Sequence, residues 1–270
     1  MDINRILVVF DPTRTAQPAL ERGAAIARET GACLVVYACI YSELSRSADR
    51  AEETKWLIEA KREQLASAVA PLREEAIDVA TTVDWDKEWY RAVVRASIRH
   101  CADLVLKATY QHSSRERFLN RTSDWTLIRE CQCPVLLVRE GEPRSLQRVL
   151  AAIDIQADGD GYERLNRQII DFSQRVLSSA SAEVHFINAF KDLQSFPDRN
   201  TLIRDTGVSS DRVHIQMGDP GKVIVERAHD LQAGLVVVGN SGRSGLSAVL
   251  SGNTVEKVLD KLECDVLSMP

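Results

Sequence analysis

The sequence lacks the features that define several large classes of protein. It has no run of about 18 apolar residues, so no membrane-spanning helix is predicted, and its longest uncharged stretch, Gly31–Ser42, has the character of a strand. The first ten residues, MDINRILVVF, lack the basic region and cleavage site of a signal peptide. A formal net charge of −5 provides no basic surface for nucleic acid. We therefore expect a soluble, cytoplasmic protein that binds neither nucleic acid nor membrane.

Cysteine is present, but not in the spacing of a zinc site. The six cysteines form no C-x-x-C pair, and Cys131 and Cys133 are too close in sequence for a zinc knuckle and have no partner pair. Four of the six lie within apolar strand or helix patterns. We interpret the cysteines as reduced, buried, small apolar residues, and we predict no metal site.

What the sequence does contain is an internal repeat. Short apolar runs typical of buried parallel strands occur in matching pairs: Arg5–Phe10 with Arg148–Ile153, Cys33–Ile40 with Glu183–Phe190, and Val135–Arg139 with Val266–Met269. The first strand of each half is followed by an aspartate, Asp11 or Asp154. From Ala102 and Ala233 onward the halves align without a gap, at a constant offset of 131 residues.

Helical patterns alternate with these strands, which predicts parallel sheets covered by helices on both faces. The fold class is therefore α/β, with two tandem doubly wound five-stranded domains at residues 1–140 and 146–270. The polar stretch Glu140–Gln147 separates them. Helices are predicted over Glu88–His100, Pro220–Asp230 and, as one long helix, Ser47–Ala76. The matching connection in the second half, Lys191–Arg212, has room for a short helix at most, either because the long helix was lost or because a segment is missing from the sequence.

A glycine-rich turn is the strongest local signal of function. Residues 238–243 (VGNSGR) follow a buried strand and are themselves followed by residues 252–254 (GNT). Glycines let the backbone approach an anion closely, and a helix N-terminus near Thr254 with Arg243 would supply positive charge. The spacing matches neither the P-loop nor the dinucleotide fingerprint. Both a phosphate cradle and an ordinary strand-to-helix turn are compatible with the pattern.

This pattern resembles the nucleotide loop, G-x2-G-x9-G-[ST], of the ATP-binding universal stress proteins. Gly239, Gly242 and Gly252 occupy the three glycine positions, and Asn253 stands where the family has serine or threonine. The resemblance covers nearly the whole chain as two repeats. It is strongest to tandem members of the E type, in four short segments: Asp103–Lys107, Thr122–Trp125, Gly252–Thr254 and Cys264–Val266. The implied fold is the adenine nucleotide alpha hydrolase-like fold of universal stress proteins.

The resemblance implies a ligand site in the second domain for ATP, another adenine nucleotide or a related phosphorylated ligand, with or without magnesium. Asp154 would lie beside the adenosine, where its carboxylate could accept hydrogen bonds from ribose hydroxyls or an amine; from the residues alone it could equally cap the next helix. The implied site residues are Asp154, Val238, Gly239, Ser241, Gly242, Arg243, Gly252, Asn253 and Thr254. Asn253 removes a hydroxyl from the phosphate site.

The first domain departs from the family pattern. Opposite the three glycines it has Ala108, Gln111 and Arg121, so its nucleotide loop is degenerate and we do not expect it to bind ATP in the family manner. His112 is interpreted as a solvated loop residue.

No catalytic constellation is present, since the serines of the glycine-rich turn have no G-x-S-x-G elbow around them. We interpret the chain as a stress-response protein that binds a nucleotide. The alternatives are a slow ATPase and an interaction scaffold whose loop is vestigial. The resemblance also implies an internal pseudo-dimer, in which the last strands of the two domains pair, and a chain that is a monomer or forms a further homodimer.

Overall fold

A computed structural model describes residues 3–43, 50–109, 125–141, 146–156, 159–180, 182–240 and 261–270. The chain divides into two compact units, residues 2–140 and residues 141–270, which we call unit one and unit two.

Unit one is a parallel sheet with helices between its strands. Its elements are β1 (Arg5–Val9), α1 (Pro18–Thr30), β2 (Cys33–Ile40), α2 (Arg50–Glu74), β3 (Val79–Trp85), α3 (Trp89–Arg99), β4 (Leu104–Thr109) and β5 (Val135–Arg139). Residues 125–130 are also helical. The strands pair in the order β3-β2-β1-β4-β5, and each of these pairs is parallel. The order reverses between β1 and β4, which makes this the switch point of the sheet.

Unit two repeats this arrangement. Its elements are β6 (Arg148–Ala152), α4 (Asp160–Ala180), β7 (Glu183–Phe190), α5 (Arg199–Thr206), β8 (Val213–Met217), α6 (Pro220–Asp230), β9 (Leu235–Gly239) and β10 (Asp265–Met269). Short 3₁₀ turns occur at Leu193–Ser195 and Ser210–Arg212. The strand order is β8-β7-β6-β9-β10, again with parallel pairs, and the switch point lies between β6 and β9. The predicted fold class, two tandem doubly wound five-stranded domains, is confirmed.

The strands form where apolar residues are continuous because both faces of each sheet are covered. Leu104, Val105 and Leu106 of β4 are at most 3% exposed, and every residue of β10 is buried. Such runs are typical of parallel sheets packed between two helical layers. The predicted start of α6 is also confirmed: Asp219 caps the helix by accepting a hydrogen bond from the amide of Lys222 at 3.3 Å, ahead of Pro220 in the first helical position.

The two units differ most between their second and third strands. In unit one this connection contains α2, whose Leu65 and Val69 are fully buried while Trp56 is 67% exposed. In unit two the same connection contains the eight-residue helix α5, whose first turn is capped by Asp198. The sequence-based expectation of a long helix in one domain and a short helix in the other is confirmed.

Acidic and basic side chains join β3 to α3 in unit one. Asp84 of β3 pairs with Arg99 at the end of α3, and two residues between the elements pair with the same helix: Asp86 with Arg95, and Glu88 with Arg91. Asp84 also accepts a hydrogen bond at 2.9 Å from the hydroxyl of Tyr37, which is fully buried. Burial raises the pKa of Tyr37 well above its usual range, so the hydroxyl keeps its proton and remains a donor.

None of the helices in the described part of the chain is long and apolar enough to cross a membrane.

Candidate functional site

The candidate site lies at the carboxyl edge of the unit-two sheet, where β6 and β9 end side by side. The two strands are paired up to Ala151 and Val237. Asp154 therefore follows β6 at about the level at which β9 ends with Gly239 and the chain continues to Asn240. In open α/β sheets this position, at the switch point, is where ligands bind. The fold thus brings together Asp154 and the start of the glycine-rich turn, which are far apart in sequence.

Asp154 is held by a side-chain amide of α4. The amide N–H of Asp154 donates to Oδ1 of Asn166 at 3.1 Å, and Nδ2 of Asn166 donates to the carbonyl oxygen of Asp154 at 2.6 Å. A primary amide carries one acceptor and two donors, so it can satisfy both backbone groups of one residue. The backbone at the end of β6 is therefore fixed from the helix that follows it.

The carboxylate of Asp154 is left partly available. Its Oδ1 accepts a hydrogen bond from the amide of Gln156 at 3.1 Å, a turn that aspartate commonly makes with the residue two positions later. Its Oδ2 has no hydrogen-bond partner among the described residues, and the side chain is exposed. The carboxylate is thus oriented by its own turn and retains one oxygen with which it can accept a hydrogen bond from outside the protein.

Unit one has the same pair of hydrogen bonds between a side-chain amide and the backbone of the aspartate at the end of its first strand, β1. We call this pair of bonds the clasp. The amide of Asp11 donates to Oε1 of Gln17 at 3.0 Å, and Nε2 of Gln17 donates to the carbonyl of Asp11 at 2.7 Å. Oδ1 of Asp11 accepts hydrogen bonds from the amide and hydroxyl of Thr13, at 2.9 and 2.6 Å. Both aspartates were predicted from the sequence, whereas the two amide side chains were not. The signal that could have revealed these hydrogen bonds is an amide side chain, Gln17 or Asn166, at or near the start of the first helix of each repeat.

Gly239 allows α4 to pack closely on β9. A Cβ atom at this position would lie 2.5 Å from Cδ2 and 2.8 Å from Cγ of Leu165, which is itself buried. Carbon atoms cannot approach so closely, so a side chain here requires Leu165 to move. The preceding residue, Val238, is 1% exposed and belongs to the core. Packing against α4 therefore explains why residue 239 is a glycine without reference to a ligand.

The remaining predicted site residues lie outside the described part of the chain. They are Ser241, Gly242, Arg243, Gly252, Asn253 and Thr254. Of the predicted set, the structure places Asp154, Val238 and Gly239, and it adds Asn166. It also places Asn240, whose amide donates to the carbonyl of Met269 at 2.7 Å and whose side chain is buried.

The equivalent edge of unit one has a different chemistry. Ala108, which corresponds to Gly239, is 5% exposed, and the neighbouring Lys107 places its ammonium 5.3 Å from the ring centroid of Trp89. This distance is typical of a cation–π contact. Gln111 and Arg121 lie outside the described residues. An alanine and a lysine with its aromatic partner thus occupy the position at which unit two has the first glycine of its turn.

Two histidines that the sequence keeps apart are adjacent at the amino end of the unit-two sheet. Nδ1 of His185 lies 3.0 Å from Nε2 of His214, and the rings stack with centroids 5.2 Å apart. Burial lowers the pKa of both, that of His214 to about 4, so the pair is neutral at pH 7. Within the described ranges, no group of three or more histidine, cysteine or acidic side chains could hold a metal ion.

Comparison with known proteins gives one consistent result. The sequence model described as "Universal stress protein family" matches residues 2–139 and 165–270. The chain is 28% identical to the universal stress protein E homolog of Haemophilus influenzae, covering 100% of this chain and 98% of the relative. It is also 28% identical to universal stress protein E of Escherichia coli K12, covering 97% and 92%.

A solved structure extends this similarity to the fold. A functionally unknown protein from Pseudomonas aeruginosa PAO1 is 28% identical, with a TM-score of 0.78 over 99% of this chain and 92% of that one. The alignment with the Haemophilus influenzae relative spans 302 positions, more than the 270 residues of this chain, so the relative contains segments that this chain lacks.

Proposed function

Because the chain belongs to the universal stress protein family, with two copies of the domain in tandem, we propose that it is a stress-response protein that binds an adenine nucleotide or related phosphorylated ligand in unit two. The observation that carries the proposal is the position of Asp154 beside Gly239 at the switch point of the unit-two sheet. Oδ2 of Asp154, which has no hydrogen-bond partner among the described residues, can accept a hydrogen bond from a ribose hydroxyl or an exocyclic amine, which are both donors. ATP is the first candidate ligand, with or without magnesium.

The proposed division of labour follows from the difference between the two units. Both have an aspartate clasped at the end of the first strand, so the aspartate alone does not distinguish them. The glycine-rich turn that begins at Gly239 is present only in unit two, because unit one has Ala108, Gln111 and Arg121 at the glycine positions. We therefore assign the nucleotide to unit two and a stabilising or transmitting role to unit one.

The first test is to identify what the protein carries. Freshly purified protein is denatured and its released small molecules are analysed by mass spectrometry. The proposal predicts an adenine nucleotide or another phosphorylated compound at close to one equivalent per chain. Protein that carries no such compound, and that does not bind ATP or AMP in calorimetry, would instead favour an interaction scaffold with a vestigial loop.

The second test exchanges residues between the two loops. Gly242→Gln introduces the unit-one residue at the second glycine position. Loss of one or two hydrogen bonds from backbone amides to a charged group costs about 1.5–3 kcal/mol each. Affinity for ATP should therefore fall at least about tenfold, since about 1.4 kcal/mol corresponds to one decade. The reciprocal Gln111→Gly should not create a site, because Ala108 and Arg121 remain. Unchanged affinity in Gly242→Gln would contradict the assignment.

A slow ATPase remains the alternative activity for the same site. Phosphate release above background that Gly242→Gln abolishes would support it. Hydrolysis needs a positioned water and normally a cation. We propose binding without turnover as the first function of the site, and the phosphate-release assay distinguishes it from hydrolysis.

The internal pseudo-dimer is proposed on the family resemblance and the character of β5. Residues Val135–Arg139 have the sequence VLLVR, and an unpaired edge strand of this composition would favour aggregation. Light scattering tests the consequence: a monomer, or a homodimer of the whole chain, agrees with the proposal. A large ring would contradict it.

A further inference from the structure

Two cysteines in the connection that leads into β5 form a close pair. Sγ of Cys131 lies 3.9 Å from Sγ of Cys133. The backbone is anchored on both sides of the pair: the amide of Cys131 donates to the carbonyl of Leu127 at 2.9 Å, and the carbonyl of Pro134 accepts from the amide of Val105 at 3.0 Å. The pair is specific to unit one, because Leu262 replaces its first member in the repeat. The fold of the domain therefore does not require two thiols here.

The inner member of the pair is surrounded by hydrogen-bonding groups. Cys131 is 4% exposed, and its sulfur lies 3.6 Å from Oγ of Ser97, which is equally buried. The hydroxyl of Ser97 donates to the carbonyl of Val94 at 2.8 Å when it does not face the sulfur. Because a hydroxyl hydrogen rotates freely, Ser97 can accept from a thiol at Cys131 and donate to a thiolate.

These groups favour the thiolate of Cys131. Hydrogen bonds from the Cys133 thiol, from Ser97 and from the amides of Cys133 and Gln132 lower the pKa of Cys131 below its usual range, despite burial. The pKa of Cys133 is raised by its contact with Cys131 and by burial, so Cys133 keeps its proton. The pair therefore combines a nucleophilic sulfur with an adjacent thiol that has a proton to give.

We propose that Cys131 and Cys133 form a dithiol site that a small hydroperoxide, of the size of hydrogen peroxide, oxidises to a disulfide. The Cys131 thiolate attacks one peroxide oxygen, the O–O bond breaks, and the departing oxygen takes up a proton and leaves as water. Cys133 then attacks the sulfenic acid at Cys131, the S–S bond forms, and the S–O bond breaks to release a second water. The two thiols lose two electrons and the peroxide gains them.

The size of the oxidant follows from burial, and the product follows from geometry. With Cys131 only 4% exposed, an oxidant much larger than water cannot reach its sulfur without local opening. The sulfurs must approach from 3.9 Å to about 2.05 Å for the bond to form. Elsewhere in unit one, burial raises the pKa of Cys39 to about 11, so its thiol is a poor nucleophile and provides a contrast to Cys131.

The test follows the tryptic peptide that contains both cysteines. Cleavage after Arg129 and Arg139 releases residues 130–139, ECQCPVLLVR. Reduced full-length protein treated with hydrogen peroxide should give this peptide lighter by two hydrogens, and two of the six thiols should be lost. Cumene hydroperoxide should react at least about tenfold more slowly. A peptide that stays reduced while other cysteines oxidise would overturn the proposal.

Variants assign the roles of the two sulfurs. Cys133→Ser should stop at a sulfenic acid on Cys131 that dimedone traps once the protein is denatured, whereas Cys131→Ser should remove the rapid reaction. Cys39→Ser is the matched control and should leave rate and product unchanged. Sulfenic acid forming as fast on Cys133 in Cys131→Ser would contradict the assignment of the nucleophile.

A measurement on the unmodified protein removes any dependence on whether the variants fold. The rate at which hydrogen peroxide converts the 130–139 peptide of the folded protein to the disulfide should rise with pH around a midpoint below the ordinary cysteine pKa of about 8.5. Ser97→Ala should move this midpoint upward and slow peroxide oxidation several-fold. A midpoint at the ordinary cysteine value in the unmodified protein would overturn the proposed thiolate.

Discussion

Replacing Gly239 with alanine separates the packing role of this glycine from any role in ligand binding. The added Cβ would lie 2.5 Å from Cδ2 and 2.8 Å from Cγ of Leu165. Overpacking of this kind costs about 1–3 kcal/mol of unfolding free energy. For a domain the size of unit two, the midpoint of thermal unfolding should fall by on the order of 5 °C.

A matched control lies on the helix that packs against β9. Gly161 in the first turn of α4 has no positive φ, and no atom lies within 4 Å of the position that an added methyl group would occupy. Gly161→Ala should therefore stabilise unit two by about 0.5–1 kcal/mol, because alanine loses less backbone entropy than glycine in a helix. Replacing glycine with alanine should thus lower the free energy of unfolding at position 239 and raise it at position 161, about 80 residues away.

The assay must report on unit two. All four tryptophans lie between residues 56 and 125, so tryptophan fluorescence follows unit one only, and far-UV circular dichroism is needed as well. Urea unfolding of both variants should place the circular dichroism transitions on opposite sides of the unmodified protein. If Gly239→Ala is as stabilising as Gly161→Ala, the contact with Leu165 does not limit the site and the packing explanation is wrong.

Two further predictions concern buried polar groups. The neutral pair His185 and His214 should make the free energy of unfolding depend on pH. Because the folded-state pKa of His214 is lowered to about 4, protons bind preferentially to the unfolded chain as the pH drops from 6.5 to 4. The free energy of unfolding should be highest above about pH 6.5 and should fall across this range by on the order of 1–2 kcal/mol after allowance for solvent screening. The urea concentration at the unfolding midpoint should change less with pH in His214→Gln than in the unmodified protein. An equal pH dependence in the two proteins would contradict the prediction. Tyr37→Phe should cost about 1 kcal/mol through the lost hydrogen bond to Asp84, measured by tryptophan fluorescence, and a stability equal to that of the unmodified protein would show that the bond contributes nothing.

The fold could be predicted from sequence because each strand of a doubly wound sheet is a short continuous apolar run. The offset of 131 residues relates the last halves of the two units, including the helix ends, where Cys101 and Gln232 both have positive φ. Right-handed crossovers then place the helices on both faces of each sheet, which is why doubly wound domains were expected. The helix over Pro220–Asp230 has the predicted bounds, whereas the predicted ends at His100 and Ala76 lie one and two residues beyond the observed ones, because fraying ends depend on caps that periodicity does not reveal.

The candidate site could be predicted only in outline. Gly239 was identified from glycine spacing, which is a local signal, whereas the end of the first strand located Asp154 and only the family resemblance implied its role. The clasp by Asn166 and the contact with Leu165 depend on how α4 packs on β6 and β9, and no local pattern specifies such packing. The proximity of Cys131 and Cys133 was visible in the sequence, but its meaning depends on Ser97, which lies 34 residues away in the chain.

The central claim is that unit two, and not unit one, binds the nucleotide, and the two clasped aspartates test it most directly. Asp11→Ala and Asp154→Ala remove the same carboxylate from the same type of turn, so each should lower stability by a similar amount. Titration calorimetry with ATP should give one site per chain in the unmodified protein and in Asp11→Ala, and binding weakened at least about tenfold in Asp154→Ala. Two sites per chain, or loss of binding in Asp11→Ala with full binding in Asp154→Ala, would contradict the account.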